Sequence, residues 1–186
     1  MQRNVSGKKQ LFTTQQLVVL ALLVALQVVL GKFVQINLIF KEINLGFLPV
    51  AVAGALLGPV PAVVVGALGD VIGSLLFPTG LFRLGFTLTA GLVGLAYGLA
   101  LFRRTDSLLW AVIAMASGAV INLLLNSYWL SDIYGSKTYW GWIVSRAGTY
   151  PFEVVVQTAV TYLFLRVLGR IRLPKFIRIP GKDVSK

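Results

Sequence analysis

The sequence predicts an all-α integral membrane protein, a bundle of six transmembrane helices with both termini cytoplasmic. Three observations carry that prediction. Of 186 residues, 57% are hydrophobic and 12% charged, which excludes a disordered chain and argues against a water-soluble domain. The uncharged runs Gln10–Gly31, Leu84–Phe102 and Ser107–Ser131 each reach the roughly 17–25 residues needed to span a bilayer. The cations are unevenly placed. With six helices, twelve Lys and Arg fall on the side of the termini and five on the other, whereas five helices would expose the strongly basic C-terminal tail outside. One membrane domain is expected, with 1–12 a cytoplasmic tail, 13–169 the bundle and 170–186 a basic cytoplasmic tail on anionic lipid or a partner.

The elements follow in order. The first apolar run lacks a small-residue cleavage pattern and is read as a retained helix from about Thr13 to Val34. It carries Ala21 and Ala25, small residues one turn apart that permit close approach of another helix. Lys32, Gln35, Asn37, Lys41, Glu42 and Asn44 read as a polar outer loop. Leu45–Leu57 is apolar but short, and Gly58-Pro59-Val60-Pro61 ends it. A third helix runs from about Pro61 to Phe77, and a fourth from about Phe82 to Leu101 with Ala90, Gly94 and Gly98 as a packing stripe. The fifth covers about Leu108 to Trp129, where Gly118, Asn122, Asn126 and Trp129 share a face. Ser131–Gly141 reads as a polar and aromatic loop. In the sixth, Arg146, Tyr150, Glu153, Gln157 and Thr161 step by helical intervals, a polar stripe that belongs inside the bundle. Thr149 and Pro151 mark its kink or late start.

Cysteine and histidine are absent, which excludes disulfides, thiol chemistry, Cys/His zinc sites and histidine general-base catalysis. There is no phosphate-binding loop, and Gly135-Ser136-Lys137-Thr138 lacks the necessary glycine spacing. No nucleophile accompanies the carboxylates, so no enzyme, cofactor or metal is expected. The formal charge of +11 is read as membrane topology, not as a nucleic-acid surface.

What remains is a ligand pocket. Gly66, Asp70, Gly73 and Phe77 share a helix face, and Phe77-Pro78-Thr79-Gly80 breaks the chain before Arg83. A charge at membrane depth costs about 2.5–3.5 kcal/mol on insertion scales and faces the bundle interior or a wet cavity. Asp70 and Glu153 have three readings: proton relay, hydrogen bond to a ligand, or internal pairing with arginine. The outer rim is net positive and attracts an anionic ligand, with Arg83 and Arg146 suited to bidentate carboxylate binding. Phe77, Tyr128 and Trp129 lie near the same end, where a flat ligand would stack, although aromatic residues also collect at membrane interfaces for reasons of their own.

Several segments together carry a family resemblance: Ala21-Leu-Leu-Val-Ala25, Phe47-Leu-Pro-Val-Ala51 through Leu57-Gly-Pro59, Gly66-Ala-Leu-Gly-Asp70, Phe77-Pro-Thr-Gly80, Gly85-Phe-Thr-Leu-Thr-Ala90 and Leu125-Asn-Ser-Tyr-Trp-Leu130. Over nearly its whole length the chain resembles the substrate-binding S components of energy-coupling factor (ECF) vitamin transporters, most of all the folate-specific ones. The resemblance implies extracellular binding of folate, or a similar anionic aromatic vitamin, in the cell membrane. It implies docking through a surface including Ala21 and Ala25 onto a transmembrane coupling subunit served by two ATPase subunits. Toppling in the bilayer would then deliver the vitamin. The expected ligand contacts are Lys32, Phe77, Thr79, Gly80, Arg83, Asn126, Tyr128, Trp129 and Arg146. Arg83 and Arg146 would hold carboxylate or ring oxygen, Asn126 a pterin edge, and Phe77 and Trp129 would stack. The rival readings are an S component for riboflavin, thiamine or pantothenate, and a small proton-coupled transporter using Asp70 and Glu153.

Overall fold

The computed structural model describes residues 14–38, 41–78, 83–135 and 137–170; the side chains of 35–38 and 41–43 are outside the description. Thr79 and Gly80 therefore lie outside the described residues, as do the expected N-terminal tail and, beyond Arg170, the C-terminal one. Helix α1 spans Thr14–Phe33, α2 Phe47–Leu57, α3 Pro59–Leu76, α4 Leu84–Leu101 and α5 Leu108–Ile121. A π-helical turn, Asn122–Asn126, carries α5 directly into α6, Ser127–Tyr134. Helices α7, Tyr139–Ala147, and α8, Tyr150–Arg170, complete the chain.

Five of these stretches are long and apolar enough to cross a membrane: α1, α3, α4, the run Leu108–Tyr134 and α8. Their outer faces carry exposed Leu17, Leu22, Leu75, Leu88, Leu99 and Leu163. Such a surface suits lipid and would not suit water. The chain is thus a multi-pass membrane protein. Helix α2 differs from the five. Its eleven residues rise only about 16 Å, half of a hydrocarbon core of about 30 Å. Eight of the eleven are buried, and the helix packs on α1, α3, α4 and α8. A helix apolar all round belongs inside, and α2 is the central post of the bundle.

The joint between α2 and α3 is Gly58, at φ 103°, a conformation that a side chain would strain. Pro59 then occupies the first position of α3, where its missing N–H is no loss. Helices α3 and α4 make the closest seam. A Cβ on Gly94 would run into the backbone of Ala62, and one on Gly98 into that of Pro59. Gly54 of α2 faces Gly98 almost as closely. The small residues of α4 bring three backbones together, which is how helices associate where lipid removes the hydrophobic drive between them.

Three elements depart from the sequence reading. The polar loop after α1 is a hairpin, with β1 (Gln35–Leu38) antiparallel to β2 (Lys41–Asn44) and Gln35 opposite Asn44. The alternation Gln35-Ile-Asn-Leu and Lys41-Glu-Ile-Asn has the period of a strand, a signal that polarity alone concealed. The fifth helix does not stop at Trp129; it continues to Tyr134 and ends at Gly135 in the left-handed conformation. The remainder of the expected Ser131–Gly141 loop leads into α7, whose first turn is capped by Thr138 Oγ1 accepting from the Gly141 N–H. Arg146 consequently sits on α7, while Tyr150, Glu153, Gln157 and Thr161 sit on α8. Gly148 and Thr149 form the turn between them, and Pro151 lies in the first turn of α8.

Candidate functional site

A cavity of about 510 Å³ lies between α1, α3, α4, the π turn and the α7–α8 corner, with the N-terminal end of α2 beside it. Its apolar wall includes Val28, Phe47, Val50 and Val93, with Tyr97 almost fully buried on α4. The polar groups come from several helices. Gln27 and Lys32 arrive from α1, Asp70 and Ser74 from α3, Asn122 and Asn126 from the π turn, and Arg146, Tyr150, Glu153 and Gln157 from the α7–α8 corner. Two cations and two carboxylates thus border one space.

Each is held locally. Lys32 runs its stem past Gly73, and its ammonium donates to the Phe77 carbonyl at 3.0 Å, at the C-terminal end of α3. A cation there also meets the negative end of the helix dipole. Asp70 Oδ2 accepts from Thr87 Oγ1 at 2.7 Å, tying α3 to α4. Glu153 Oε1 accepts from Gln157 Nε2 at 2.9 Å, one turn along α8. Asn126 Nδ2 donates to Asn122 Oδ1 at 3.1 Å across the π turn. Such turns recur at functional sites, since the extra residue re-aims side chains that an α-helix would direct elsewhere. The guanidinium of Arg146 stands 5.8 Å from the Tyr150 ring centroid.

Three polar atoms at this cavity are buried and have no hydrogen-bond partner among the described residues: Gln27 Oε1, Asn126 Oδ1 and Arg146 Nη1. An unsatisfied buried group costs about 1–3 kcal/mol, more when charged. Three of them beside one hollow mark a place built to surround a polar molecule with both donors and acceptors.

Of the residues singled out from sequence, Lys32, Asn126 and Arg146 line the cavity, together with Asp70 and Glu153. Phe77, Arg83, Tyr128 and Trp129 are not among its lining residues. Phe77 closes α3 with its ring edge-on to Phe33 at 5.2 Å. Arg83 precedes α4 and pairs with Asp132 of α6. Trp129 lays its indole on Gly85 and donates to Thr89 Oγ1 at 3.2 Å, and Tyr128 packs edge-on against Trp129 and Tyr139. These contacts bind α4, α6 and α7 together at the end where the α3–α4 connection lies. Ala21 and Ala25 are exposed on α1, away from its buried row Leu20, Leu23, Val24 and Val28.

Gln27, Asn44, Ser74 and Tyr97 line the cavity without having been singled out. For Gln27 a signal existed: between Leu17 and Gly31 it is the one residue with a polar side chain. A lone amide within a spanning helix faces protein or a cavity. Tyr97 and Ser74 carried no comparable sign.

The fold and this cavity define a membrane-embedded helix bundle built around a polar-lined hollow. Sequence comparison then supplies the family. The description "ECF transporter, substrate-specific component" fits residues 15–170, and the chain belongs to that family. It is 31% identical over 144 residues to the folate transporter FolT of Clostridium novyi (strain NT), covering 75% of this chain and 84% of that one. The folate transporter FolT of Leuconostoc mesenteroides is 31% identical over 160 residues, 82% of this chain and 85% of its own. Among solved structures, FolT bound with folic acid superposes with a TM-score of 0.74 at 30% identity, over 83% of this chain and 95% of that one. The S component for biotin from an ECF-type ABC transporter reaches 0.59 at 21% identity, over 86% and 95%, a likeness of fold alone. The members of this family are transporter components, not enzymes.

Proposed function

We propose that this chain is the folate-binding S component of an ECF transporter in the cell membrane, with six spans and both termini cytoplasmic. The observation that carries the reading is the cavity, whose three unpartnered polar atoms include both donor and acceptors. Folate has matching parts. Its pterin is flat and edged with donors and acceptors, and its glutamate tail is anionic. A volume of about 510 Å³ lies within the range of small-molecule sites, about 300–1,000 Å³. Arg146 and Asn126 take the pterin, with Asp70 and Glu153 as acceptors beside them. Lys32, at the end of α1, takes the tail carboxylates. In this reading Phe77, Arg83, Tyr128 and Trp129, which do not line the cavity, belong to an outer rim beyond Lys32, and Thr79 and Gly80 stay in the proposed contact set.

The FolT relatives and the folic-acid-bound FolT structure support folate over other vitamins. In this reading the exposed Ala21–Ala25 face of α1 docks on the transmembrane coupling subunit, and two partner ATPases supply the energy. The short α2 counts as the sixth span, reaching across with the outer hairpin as its extension.

A thermal-shift panel tests the proposal. Protein purified in detergent is heated with folic acid, riboflavin, thiamine, pantothenate or biotin. Folic acid alone is expected to raise the unfolding temperature, because a ligand of the native state stabilises it in proportion to the logarithm of its excess over Kd. A rise with riboflavin or thiamine and none with folic acid would overturn the assignment.

A further inference from the structure

Gln27 is a part-buried polar side chain in the middle of α1, and its seat is specific. A Cβ on Gly69 would coincide with the Gln27 amide, so the group occupies the space that this glycine leaves empty. Its Nε2 donates to the Gly66 carbonyl at 3.4 Å. That carbonyl can only accept, so the nitrogen is the end held at Gly66, while the oxygen lies against Gly69. Oε1 is buried and has no partner among the described residues, and Gln27 borders the cavity. The next residue of α3 after Gly69 is Asp70, another acceptor at the same cavity. The amide is thus held by its donor end, its acceptor end is left without a partner, and Asp70 borders the same cavity.

Resting on the folate assignment above, we infer that Gln27 Oε1 is a specificity-determining acceptor that takes an N–H from the amino–amide edge of the pterin, and that Gly69 is glycine so that the amide can lie there. The 2-amino group and N3 of a pterin offer two N–H bonds side by side on one edge, with the second amino N–H turned toward N1. Such an edge needs several acceptors placed side by side. An amide carbonyl and a carboxylate bordering the same cavity supply them without adding a further negative charge. A site built this way rejects an analogue that lacks the donor, since its own acceptors are then left unpaired.

The test is a two-by-two comparison by titration calorimetry, with folic acid and its 2-desamino-2-methyl analogue against wild type and Gln27→Leu. Wild type is expected to bind folic acid about 10- to 100-fold more tightly than the analogue, and Gln27→Leu to lose most of that difference by weakening folic acid alone. Unliganded Gln27→Leu is expected to melt no lower than wild type, because removal of a buried oxygen without a partner offsets loss of the 3.4 Å bond to the Gly66 carbonyl. Gly69→Ala displaces the amide and is expected to reproduce the loss of discrimination with Gln27 still present. Full discrimination retained by Gln27→Leu, equal weakening of both ligands, or a wild type indifferent to the 2-amino group would each overturn the inference while leaving folate binding intact. A wild type that binds neither compound would overturn the folate assignment and this inference with it.

Discussion

Helix α3 meets α4 on one side and α1 on the other, and glycine serves differently on each. Toward α4, Gly66 faces the Ala90 carbonyl, while Gly94 and Gly98 of α4 face the backbones of Ala62 and Pro59. Toward α1, the space at Gly69 holds the Gln27 amide, and the space at Gly73 is bordered by the Lys32 stem and Val28. The first seam is backbone against backbone, which cannot yield without moving whole helices. The second is backbone against the ends of long side chains, which can. The α3–α4 seam forms a rigid wall that reaches the cavity at Gly66 and Ala90, and the adjustable polar side chains stand on the α1 side. An S component needs both, a frame that stays assembled and a wall that answers to what enters.

The largest expected effect breaks the first seam. Gly94→Val or Gly98→Val forces branched carbons into the Ala62 or Pro59 backbone, and overpacking of that kind costs about 3 kcal/mol. Thermal unfolding in detergent should drop sharply for both, and survival of either at wild-type stability would mean that the seam is looser than its geometry. Next is Arg146→Ala. A charge-assisted hydrogen bond is worth about 1.5–3 kcal/mol, so folic acid affinity by calorimetry should fall about 10- to 100-fold. Without ligand this variant should melt at least as high as wild type, because a half-buried cation with one buried, unpartnered nitrogen has been removed.

A smaller effect separates the two sides of α3 directly. A Cβ at Gly73 would sit 3.6 Å from Lys32 Cε, an ordinary contact. Gly73→Ala should therefore stabilise the helix by up to about 1 kcal/mol through propensity, the opposite sign to Gly94→Val, as an unfolding scan would read. The smallest concerns Arg83 and Asp132, an ion pair whose side chains are 43% and 52% exposed. A double-mutant cycle of Arg83→Gln and Asp132→Asn should return a coupling of only about 0.5 kcal/mol in stability. The same two variants sharpen the assignment of Arg83. If it holds the ligand's carboxylate, Arg83→Gln weakens folic acid and Asp132→Asn does not; if it only ties α4 to α6, the two behave alike.

Much of this was legible in the linear chain. The long spans follow from uncharged apolar runs, the α2–α3 joint from Gly58-Pro59, and the α4 packing stripe from Ala90, Gly94 and Gly98, since each depends on residues close in sequence. The site was legible in part. Lys32, Asn126 and Arg146, with the carboxylates Asp70 and Glu153, stood out as polar groups in apolar surroundings, and they border the cavity. The aromatic rim looked like its equal by composition. Yet Trp129 is engaged with Gly85 and Thr89, and Phe77 with Phe33, contacts that join residues far apart in the chain.

By itself, then, the sequence determined that the chain lives in a membrane, where its helices run, and which few polar groups have to be enclosed; hydropathy and helical period are local properties. Only the tertiary structure decided that α2 is the central post, that the π turn carries α5 into α6, that Arg146 and Glu153 come from different helices, and that Gln27 lies in the space left by Gly69. Those outcomes depend on which backbones can approach each other and which volumes remain unfilled, and no residue carries that information until its neighbours in space are known.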